Sequence, residues 1–393
     1  MARIVLTGGG TGGHIYPLIA VAEALQAKSR GVSGGGASID GDEPFDLHYV
    51  GSVGEYRTTF EEQGITVHSI AGAKIRRYFS LMTLLDIPKF FIALFQAWIT
   101  LFFLMPDAIF SKGGTSAFPV LLAGWFYRIP IMIHESDAVP GLNNVLGSRC
   151  AARIAVSFEG TRAYFNPAKT ILTGNPIRKE LLSAAVSLNA QGTTRVTSAK
   201  QELGFDPARP LMLVLGGSQG SERINDLILL SLAQLATTTQ LLHQTGAANY
   251  VDVTHLSRAA LSEVPIAAGH VPLRYDAVPY FERTMGTALA AADLVVSRGS
   301  STIFEIAAFC KPAILIPLLE SANNHQTANA YAFADAGASV VIEEPNLLPE
   351  IFITQVKRIL ADDALRAKMA AASKTFAIDG AAEQIADELA ELI

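Results

Sequence analysis

The sequence predicts an α/β protein made of two similar domains in tandem, each with a parallel sheet and helices on both faces. Short apolar strands alternate with helical stretches along the chain, which is typical of parallel sheets covered by helices. One plan also occurs twice: a strand, a glycine-rich loop and a helix follow one another at Ile4–Ala27 and again at Leu211–Ala236. A chain of 393 residues is too long for one compact core and suits two domains.

The elements of the first half follow from its apolar segments. Pro17–Ala27 is a predicted helix, with a proline near its first turn, where a missing N–H costs little. Gly31–Pro44 is low in complexity and is expected to be a flexible surface insertion. The predicted strands of this half are Ile4–Leu6, Leu47–Val50, Val67–Ile70, Ala108–Phe110 and Ile131–His134.

The second half repeats the pattern. Ser183–Ser198 is rich in Ser, Thr, Asn and Gln and is expected to form an exposed loop just beyond the hinge. The Ala-rich end of the chain, about Leu365–Ile393, is expected to be helical. The predicted strands are Leu211–Leu215, Leu294–Val296 and Ala313–Ile316, and the predicted helices are about Arg223–Ala236 and Thr302–Cys310.

The composition excludes several classes of protein. Half of the residues are hydrophobic and 17% are charged, so the chain is not expected to be disordered. A formal net charge of −6 argues against nucleic acid as a main partner, since phosphate binding needs clustered Lys and Arg. Cys150 and Cys310 have neither metal-ligand spacing nor a disulfide pattern, which suits a reducing compartment. The N-terminus lacks the features of a signal peptide, so we expect a cytoplasmic location.

Two glycine-rich loops, Gly8–Gly13 and Gly216–Ser221, stand between a strand and a helix. Glycines allow a close backbone approach to a ligand, and the following helix directs free amides and a partial positive charge at it. Either loop alone could be a tight turn, but the pair predicts a cleft with two walls that favour anions. His14 ends the first loop and is either a helix-cap residue or a general base or hydrogen-bond donor facing that cleft.

A third group of polar residues follows the predicted strand at Leu294–Val296. Glu305 lies in the first turns of the next helix, where its two oxygens match the two neighbouring hydroxyls of a ribose. The alternative is a carboxylate that only stabilises the helix dipole. Gln326 and Asn329 share one face of a later helix and could offer amides to sugar hydroxyls, the alternative being a solvated helix face.

Seven motifs occur in order along nearly the whole chain: GGGTGGHIYP, SKGG followed by Pro119, IPIMIHESDAVPGLNN, GNPIR, LGGSQGS, SRGSSTIFEIAA and NHQTANA. Together they resemble the family of UDP-N-acetylglucosamine–N-acetylmuramyl-(pentapeptide) pyrophosphoryl-undecaprenol N-acetylglucosamine transferases, which convert lipid I to lipid II in peptidoglycan synthesis. The resemblance implies a GT-B fold, with two Rossmann-like domains facing a central cleft. It implies an acceptor- and membrane-binding domain at 1–175, joined by the last helix at about 376–393, and a UDP-sugar-binding domain at 176–375.

The resemblance also implies a role for each matching residue. On the acceptor side, His14, His134 and Glu135 would line the site, with His14 and Glu135 as the candidate catalytic groups. Many members of the family have Asn where this chain has Asp137, a polar donor-side contact. The implied donor contacts are Thr11, Gly12 and Gly13 at its border, Arg178 and Ser218 at the nucleotide, Glu282 at the uracil, Ser300, Ser301, Thr302 and Ile303 at the diphosphate, Glu305 at the ribose, and Gln326 with Asn329 at the N-acetylglucosamine.

The segment Phe90–Met105 predicts contact with a membrane. Its sixteen residues include only two polar ones, Gln96 and Thr100, but a bilayer core needs about 20 helical residues. The alternative is a buried core helix. Basic residues lie beside aromatics and leucines in the preceding stretch, which favours an anionic membrane surface. We therefore expect a peripheral protein on the cytoplasmic face of the inner membrane; the basic residues are Lys74, Arg76, Arg77 and Lys89.

The expected mechanism is a single displacement with inversion, in which the acceptor 4-hydroxyl attacks the anomeric carbon and UDP leaves. His14 is the favoured base, with Glu135 or Asp137 as the alternative. Loop amides and helix N-termini would stabilise the departing diphosphate, with no cofactor and no tightly bound metal.

Other functions remain possible at this point. One is transfer to another lipid such as diacylglycerol, or epimerisation of a UDP-sugar. Another is an NAD-dependent oxidoreductase, but that class needs an acidic residue after the second strand, where Gly51 and Ser52 stand. The last is a non-catalytic membrane scaffold.

Overall fold

The computed structural model describes residues 2–29, 45–72, 81–114, 116–217, 219–262, 273–281 and 283–393. The chain forms two compact units: Met1–Lys179 together with Ile378–Ile393, and Glu180–Ala377. Within the described residues, the first unit has a seven-stranded sheet and the second a six-stranded sheet, and all strand pairs are parallel. The two parallel α/β sheets predicted from the repeated plan are therefore confirmed.

The sheet of the first unit has the order β3-β2-β1-β4-β5-β6-β7. Because its strands are parallel, their carboxyl ends lie at one edge. The strand order reverses between β1 and β4, and open α/β sheets bind ligands beside such a point. The strands are β1 (Arg3–Thr7), β2 (Asp46–Gly51), β3 (Thr66–Ser69), β4 (Ala108–Ser111), β5 (Ile131–Glu135), β6 (Arg153–Val156) and β7 (Thr170–Leu172).

Helices cover both faces of this sheet. One core layer joins the sheet to the first and last helices of the chain and includes Tyr49, Phe60 and Ile385, all fully buried. A second layer, with Leu101 and Val120, lies on the other face. The described helices of this unit are α1 (Gly12–Ser29), α2 (Arg57–Glu62), α3 (Leu81–Leu104), α4 (Ala117–Phe126), α5 (Leu142–Gly147) and α15 (Ala381–Glu391).

The second unit has the sheet order β10-β9-β8-β11-β12-β13. Its strands are β8 (Leu211–Leu215), β9 (Gln240–Gln244), β10 (Tyr275–Val278), β11 (Leu294–Ser297), β12 (Ala313–Leu315) and β13 (Ser339–Val341). Its helices are α6 (Lys179–Gln191), α7 (Thr193–Glu202), α8 (Glu222–Leu235), α9 (Tyr250–Ser262), α10 (Met285–Ala291), α11 (Thr302–Ala308), α12 (His325–Asp335), α13 (Pro349–Ala361) and α14 (Asp363–Phe376).

Every predicted strand is present to within one or two residues, but the exposed loop predicted at Ser183–Ser198 is wrong. This stretch lies in α6 and α7, which meet at Gly192 with a φ of +55°. Leu181, Ala185 and Leu188 are buried along one face of α6. Apolar residues at this helical spacing outweigh the polar composition on which the loop prediction depended.

The Ala-rich end of the chain is helical as predicted, but it is two helices rather than one. A short turn at residues 377–380 separates α14 from α15, and Gly380 there has a φ of +74°. A glycine tolerates this left-handed backbone without strain, so the chain changes direction at that point. The segment Gly31–Pro44, predicted to be a flexible insertion, lies wholly outside the described residues.

Candidate active site

The loops after β1, β4 and β5 meet at the carboxyl edge of the first sheet. The strand register pairs Thr7 with Ser111, and Ser111 with Ile133. Gly114, with a φ of +95°, lies so close to Gly9 that a Cβ atom on Gly114 would overlap the Gly9 backbone. Glycine at both positions therefore permits the close approach of two loops at the reversal point of the sheet.

Thr11, Gly12, Gly13 and His14 form the start of α1 at this edge. The Thr11 hydroxyl lies 2.8 Å from His14 Nδ1, and the His14 amide donates to the Thr11 carbonyl at 2.9 Å. Thr11 and Gly13 are exposed, His14 is partly buried and Gly12 is buried beside Tyr16. The Thr11 side chain thus orients an imidazole that remains accessible.

Glu135 ends β5 and is almost fully buried. Its carboxylate accepts hydrogen bonds from the amides of Asp137 (3.0 Å) and Gly141 (2.9 Å) and from Asn144 Nδ2 (2.9 Å). Burial raises the pKa of Glu135, and the neighbouring charge of Asp137 raises this pKa further. In this arrangement the carboxylate holds the loop at residues 136–141, and its catalytic role stays a prediction.

His134 lies beneath the same loop and is fully buried. Its Nε2 lies 2.9 Å from the Gly174 carbonyl and 3.2 Å from Ser157 Oγ. Burial, together with the charge of Lys112, keeps the pKa of His134 well below its usual value. His134 is therefore a neutral residue that supports the site from below.

Lys112 was not singled out as a site residue from the sequence. It directly follows β4 and is 2% exposed, and its Nζ has no hydrogen-bond partner among the described residues. Burial lowers the pKa of Lys112 to about 8, while the carboxylates of Glu135 and Asp137 act to raise it. The sequence signal that could have indicated Lys112 is a lysine between an apolar strand and two glycines. This strand, β4, is one of the two between which the strand order reverses.

Arg178 packs on the first unit. Its guanidinium carbon lies 4.3 Å from the ring centroid of Tyr16, and Tyr16 in turn contacts Tyr56 edge-on at 5.9 Å. This cation–π contact fixes the arginine beside the start of α1, because Tyr16 follows His14 by two positions in that helix. The contact of Arg178 with the nucleotide stays a prediction.

The glycine loop of the second unit follows β8. Gln244 Nε2 donates to the Gly217 carbonyl at 2.7 Å, and a Cβ atom on Gly220 would overlap the Thr245 carbonyl. Ser221 caps α8 by accepting a hydrogen bond from the Ile224 amide at 3.3 Å. The loop is thus pinned to the end of β9; Ser218 and Glu282, predicted at the nucleotide, lie outside the described residues.

Arg298 joins three loops at this edge. Its guanidinium donates to Ser221 Oγ at 2.6 Å, to Glu344 Oε1 at 2.6 Å and to the Ile316 carbonyl at 3.0 Å. The register places Ser297 level with Leu215 and Leu315, so the loops after β8, β11 and β12 leave the sheet together. Charge-assisted hydrogen bonds of this kind are strong and fix geometry, and sequence reasoning missed this network.

The start of α11 carries five of the predicted donor contacts. Ser300 Oγ donates to Thr302 Oγ1 at 3.3 Å, and the Ile303 amide donates to the Ser300 carbonyl at 3.1 Å. Ile303 is fully buried, whereas Ser300, Ser301, Thr302 and Glu305 are partly exposed. The hydroxyls and the Glu305 carboxylate are thus gathered at one end of a short helix.

Gln326 and Asn329 both bind neighbouring loops. Asn329 is fully buried and its Nδ2 donates to the Gly299 carbonyl at 3.1 Å, while Gln326 Oε1 accepts from the Leu318 amide at 3.0 Å. These amides tie the loops after β11 and β12 to α12. Their contact with the sugar remains a prediction.

Among the described residues, no group of three or more His, Cys, Asp or Glu could hold a metal ion.

An apolar surface covers α3 and α4 of the first unit. Ile87–Leu104 of α3 is, within the described residues, the one helical stretch long and apolar enough to cross a membrane, and 17% of it is buried. The helix is longer than the sixteen residues considered in the sequence, because it begins at Leu81; this finding concerns length and composition alone. We call this region the α3–α4 surface; a groove of about 500 Å³ on it is lined by residues that include Phe91, Phe95, Trp98, Trp125 and Phe126.

Comparison with known proteins assigns both halves of the chain to domain families. Residues 4–156 match the model of the glycosyltransferase family 28 N-terminal domain, and residues 211–385 match that of the glycosyltransferase family 28 C-terminal domain. Both halves of the chain therefore define one class of enzyme, the family 28 glycosyltransferases.

Individual relatives narrow the class. A UDP-N-acetylglucosamine–N-acetylmuramyl-(pentapeptide) pyrophosphoryl-undecaprenol N-acetylglucosamine transferase of Treponema pallidum (strain Nichols) is 35% identical over 99% of this chain and 95% of the relative. A transferase of the same name from Bacillus cereus (strain ATCC 10987 / NRS 248), numbered 2, is 33% identical over 91% of this chain and 92% of the relative. The chain belongs to this family of transferases, which confirms the resemblance.

Solved structures support the fold. The crystal structure of Acinetobacter baumannii MurG has a TM-score of 0.74 and 24% identity, with both chains covered completely. A UDP-GlcNAc 2-epimerase from Neisseria meningitidis, bound to UDP-GlcNAc, has a TM-score of 0.67 and 15% identity. The predicted GT-B class with two Rossmann-like domains is confirmed, and the epimerase shares the fold alone.

Proposed function

We propose that this protein transfers N-acetylglucosamine from UDP-N-acetylglucosamine to the 4-hydroxyl of the muramyl sugar of undecaprenyl-linked lipid I. The product is lipid II, and the anomeric centre is inverted. The observation that carries the proposal is the match of almost the entire chain to relatives named for this transfer. Transfer to diacylglycerol, epimerisation, hydride transfer and a scaffold role are not favoured by those relatives.

In this proposal the second unit, Glu180–Ala377, corresponds to the domain predicted at 176–375 and binds the donor. Free amides at the start of α8 and hydroxyls at the start of α11 favour a diphosphate at the carboxyl edge of this sheet. Glu305 binds the ribose hydroxyls, and Gln326 and Asn329 hold the loops beside the sugar. The pinned loops support this assignment, since a site that does not rearrange loses little free energy when charge develops on UDP. Ser218 and Glu282 complete the proposed nucleotide site.

The first unit, Met1–Lys179 with Ile378–Ile393, corresponds to the domain predicted at 1–175 with the last helix and binds the acceptor. His14 takes the proton of the attacking hydroxyl, a step that contributes about 10²–10⁴ in rate. The Thr11 hydroxyl, 2.8 Å from His14 Nδ1, orients the ring for this purpose. Glu135 contributes by shaping the loop at 136–141 next to Asp137, because its oxygens already accept three N–H groups.

The α3–α4 surface rests on the cytoplasmic face of the inner membrane, where a lipid-linked acceptor resides. Ala93, Ala97 and Leu101 lie four residues apart and are fully buried in the unit. This face keeps α3 packed on the domain, while Phe91 (62% exposed) and Phe103 (78% exposed) point away from it. A helix with one face in the core and an exposed apolar face binds the membrane interface rather than spanning the bilayer.

The donor assignment is tested by calorimetry with UDP-N-acetylglucosamine and with NAD. We expect binding of the UDP-sugar alone, and we expect Glu305→Gln to lower its affinity by about 10–100-fold, the effect of losing hydrogen bonds to a charged group. Glu350→Gln is the matched control, because Glu350 is exposed and also lies in the first turn of a helix. Binding of NAD, or equal affinities of the two variants, would oppose the assignment.

A further inference from the structure

We infer that Lys112 is a positioning residue of the acceptor site: its buried ammonium balances the carboxylates of Glu135 and Asp137 and thereby keeps the loop at residues 136–141 in shape. The inference rests on the proposed function, since that function assigns the acceptor to the first unit, which carries this loop. It concerns a residue that follows β4 and is not among the groups assigned to catalysis above.

The first observation is the position of Lys112. It directly follows β4, next to the reversal of strand order between β1 and β4. The Lys112 amide donates to the Thr7 carbonyl at 2.9 Å, and a Cβ atom on Gly8 would lie 3.6 Å from the Cβ of Lys112. Lys112 therefore lies beside the first glycine loop, and the pairing of Ser111 with Ile133 places it next to the end of β5, at the point where open α/β sheets bind their ligands.

The second observation is its lack of a hydrogen-bond partner. The Nζ atom is buried and makes no hydrogen bond within the described residues. An isolated buried ammonium is costly, and a buried cation is normally compensated by nearby anions. The carboxylates of Glu135 and Asp137 supply that compensation through space. The third titratable neighbour, His134, stays neutral and carries no charge to oppose it.

The third observation links this charge to the shape of the loop. Glu135 accepts three N–H groups, two of them from the backbone at Asp137 and Gly141. If Glu135 takes up a proton, one of its oxygens becomes a donor that faces other donors, and the loop loses a hydrogen bond. Asp137 favours that proton uptake by repulsion. The charge of Glu135 favours the charged form of Lys112, and we infer that the ammonium favours the carboxylate of Glu135 in return, because opposite charges stabilise each other.

This reasoning predicts a sign for each substitution. Lys112→Met removes the cation, so the repulsion between Asp137 and Glu135 acts without its opposing charge and Glu135 is protonated more readily. Asp137→Asn removes the repulsion and also one of the counter-charges of Lys112. With both substitutions together the two effects cancel, and Glu135 keeps its bonds to the loop. Two residues that interact through their charges in this way should show coupling.

The experiment is a double-mutant cycle with steady-state transfer to lipid I. We expect Lys112→Met to raise the KM for lipid I about tenfold and to leave the KM for UDP-N-acetylglucosamine unchanged. In the Asp137→Asn background, we expect Lys112→Met to raise the KM for lipid I less than about threefold. The control is Lys311→Met, which removes a buried lysine of the second unit that donates to the carbonyls of Ala290 and Ala292. It should show no coupling to Asp137→Asn.

The inference would be overturned if Lys112→Met raised the KM for lipid I by the same factor in both backgrounds. It would also be overturned if the KM values for lipid I and for UDP-N-acetylglucosamine rose in parallel. If Lys112→Met does not fold, the thermal unfolding of the double variant decides: a folded double variant supports the charge balance and an unfolded one opposes it. The proposed function fails separately, since a wild-type protein that does not transfer to lipid I contradicts it whatever the variants do.

Discussion

Gly299→Ala should separate the loop after β11 from α12 and so misplace the donor. A Cβ atom on Gly299 would lie 2.9 Å from the carbonyl carbon of Gln326 and closer still to its oxygen, which is part of the backbone and cannot rotate away. The Gly299 carbonyl also accepts the hydrogen bond from Asn329. Loop and helix therefore have to separate by on the order of 1 Å, a misplacement that costs about 100-fold in rate.

The matched control is Gly160→Ala, because a Cβ atom there meets nothing within 4 Å. We expect Gly299→Ala to lower kcat/KM for UDP-N-acetylglucosamine about 100-fold and the free energy of unfolding by about 1–3 kcal/mol. The control should stay within about 0.5 kcal/mol of wild type and keep full activity. Steady-state transfer and denaturant unfolding measure both quantities. A Gly299→Ala protein within threefold of wild-type kcat/KM would refute the reasoning.

Three further perturbations test other parts of the molecule. His14→Ala should lower turnover by about 100-fold or more while the affinity for UDP-N-acetylglucosamine stays unchanged; turnover within threefold of wild type contradicts its role as base. Phe103→Glu should weaken binding to phosphatidylglycerol-containing vesicles by about tenfold or more, because a charge is costly in the membrane interface, whereas Leu230→Glu, at an exposed apolar position of the second unit, should not; equal binding of both variants contradicts the α3–α4 surface as the contact. Burial lowers the pKa of His243 to about 3. As the pH drops, the unfolded chain takes up a proton on this residue near pH 6.5 whereas the folded chain does not. The free energy of unfolding therefore falls as the pH drops. Between pH 7 and pH 5 this amounts to about 2 kcal/mol, and denaturant unfolding at both pH values should show that His243→Asn loses that much of the pH dependence; an unchanged dependence contradicts it.

The predictable part of the fold came from periodicity and glycine placement. The strand and glycine loop at Leu211–Gly220 could be predicted because five apolar residues in a row precede a backbone turn that needs glycine. Gln240–Gln244, by contrast, was not predicted as a strand, although all five of its residues are buried. Its polar members are tolerated only because tertiary partners satisfy them, as when His243 binds Asn225 and Tyr275. A single sequence does not reveal such partners.

In the candidate site, too, the sequence revealed residue types and motifs, whereas the contacts of the side chains depended on the fold. Seven motifs were recognised in order along the chain, and the family that they indicated is the one to which the relatives assign the chain; the individual site residues stay predictions. What each side chain touches could not be predicted: Asn329 and Glu135 were expected to face substrate, and both hold loops from buried positions. Lys112 and Arg298 were overlooked, because their importance depends on charges that are distant in sequence and adjacent in the fold.

The most direct test of the central claim is transfer of radiolabelled N-acetylglucosamine from its UDP conjugate in vesicles that contain either lipid I or diacylglycerol. We expect label on lipid I alone, one UDP released for each sugar transferred, and a β-linked product. No label on lipid I, or equal labelling of diacylglycerol, would contradict the assignment of this protein as the transferase that makes lipid II.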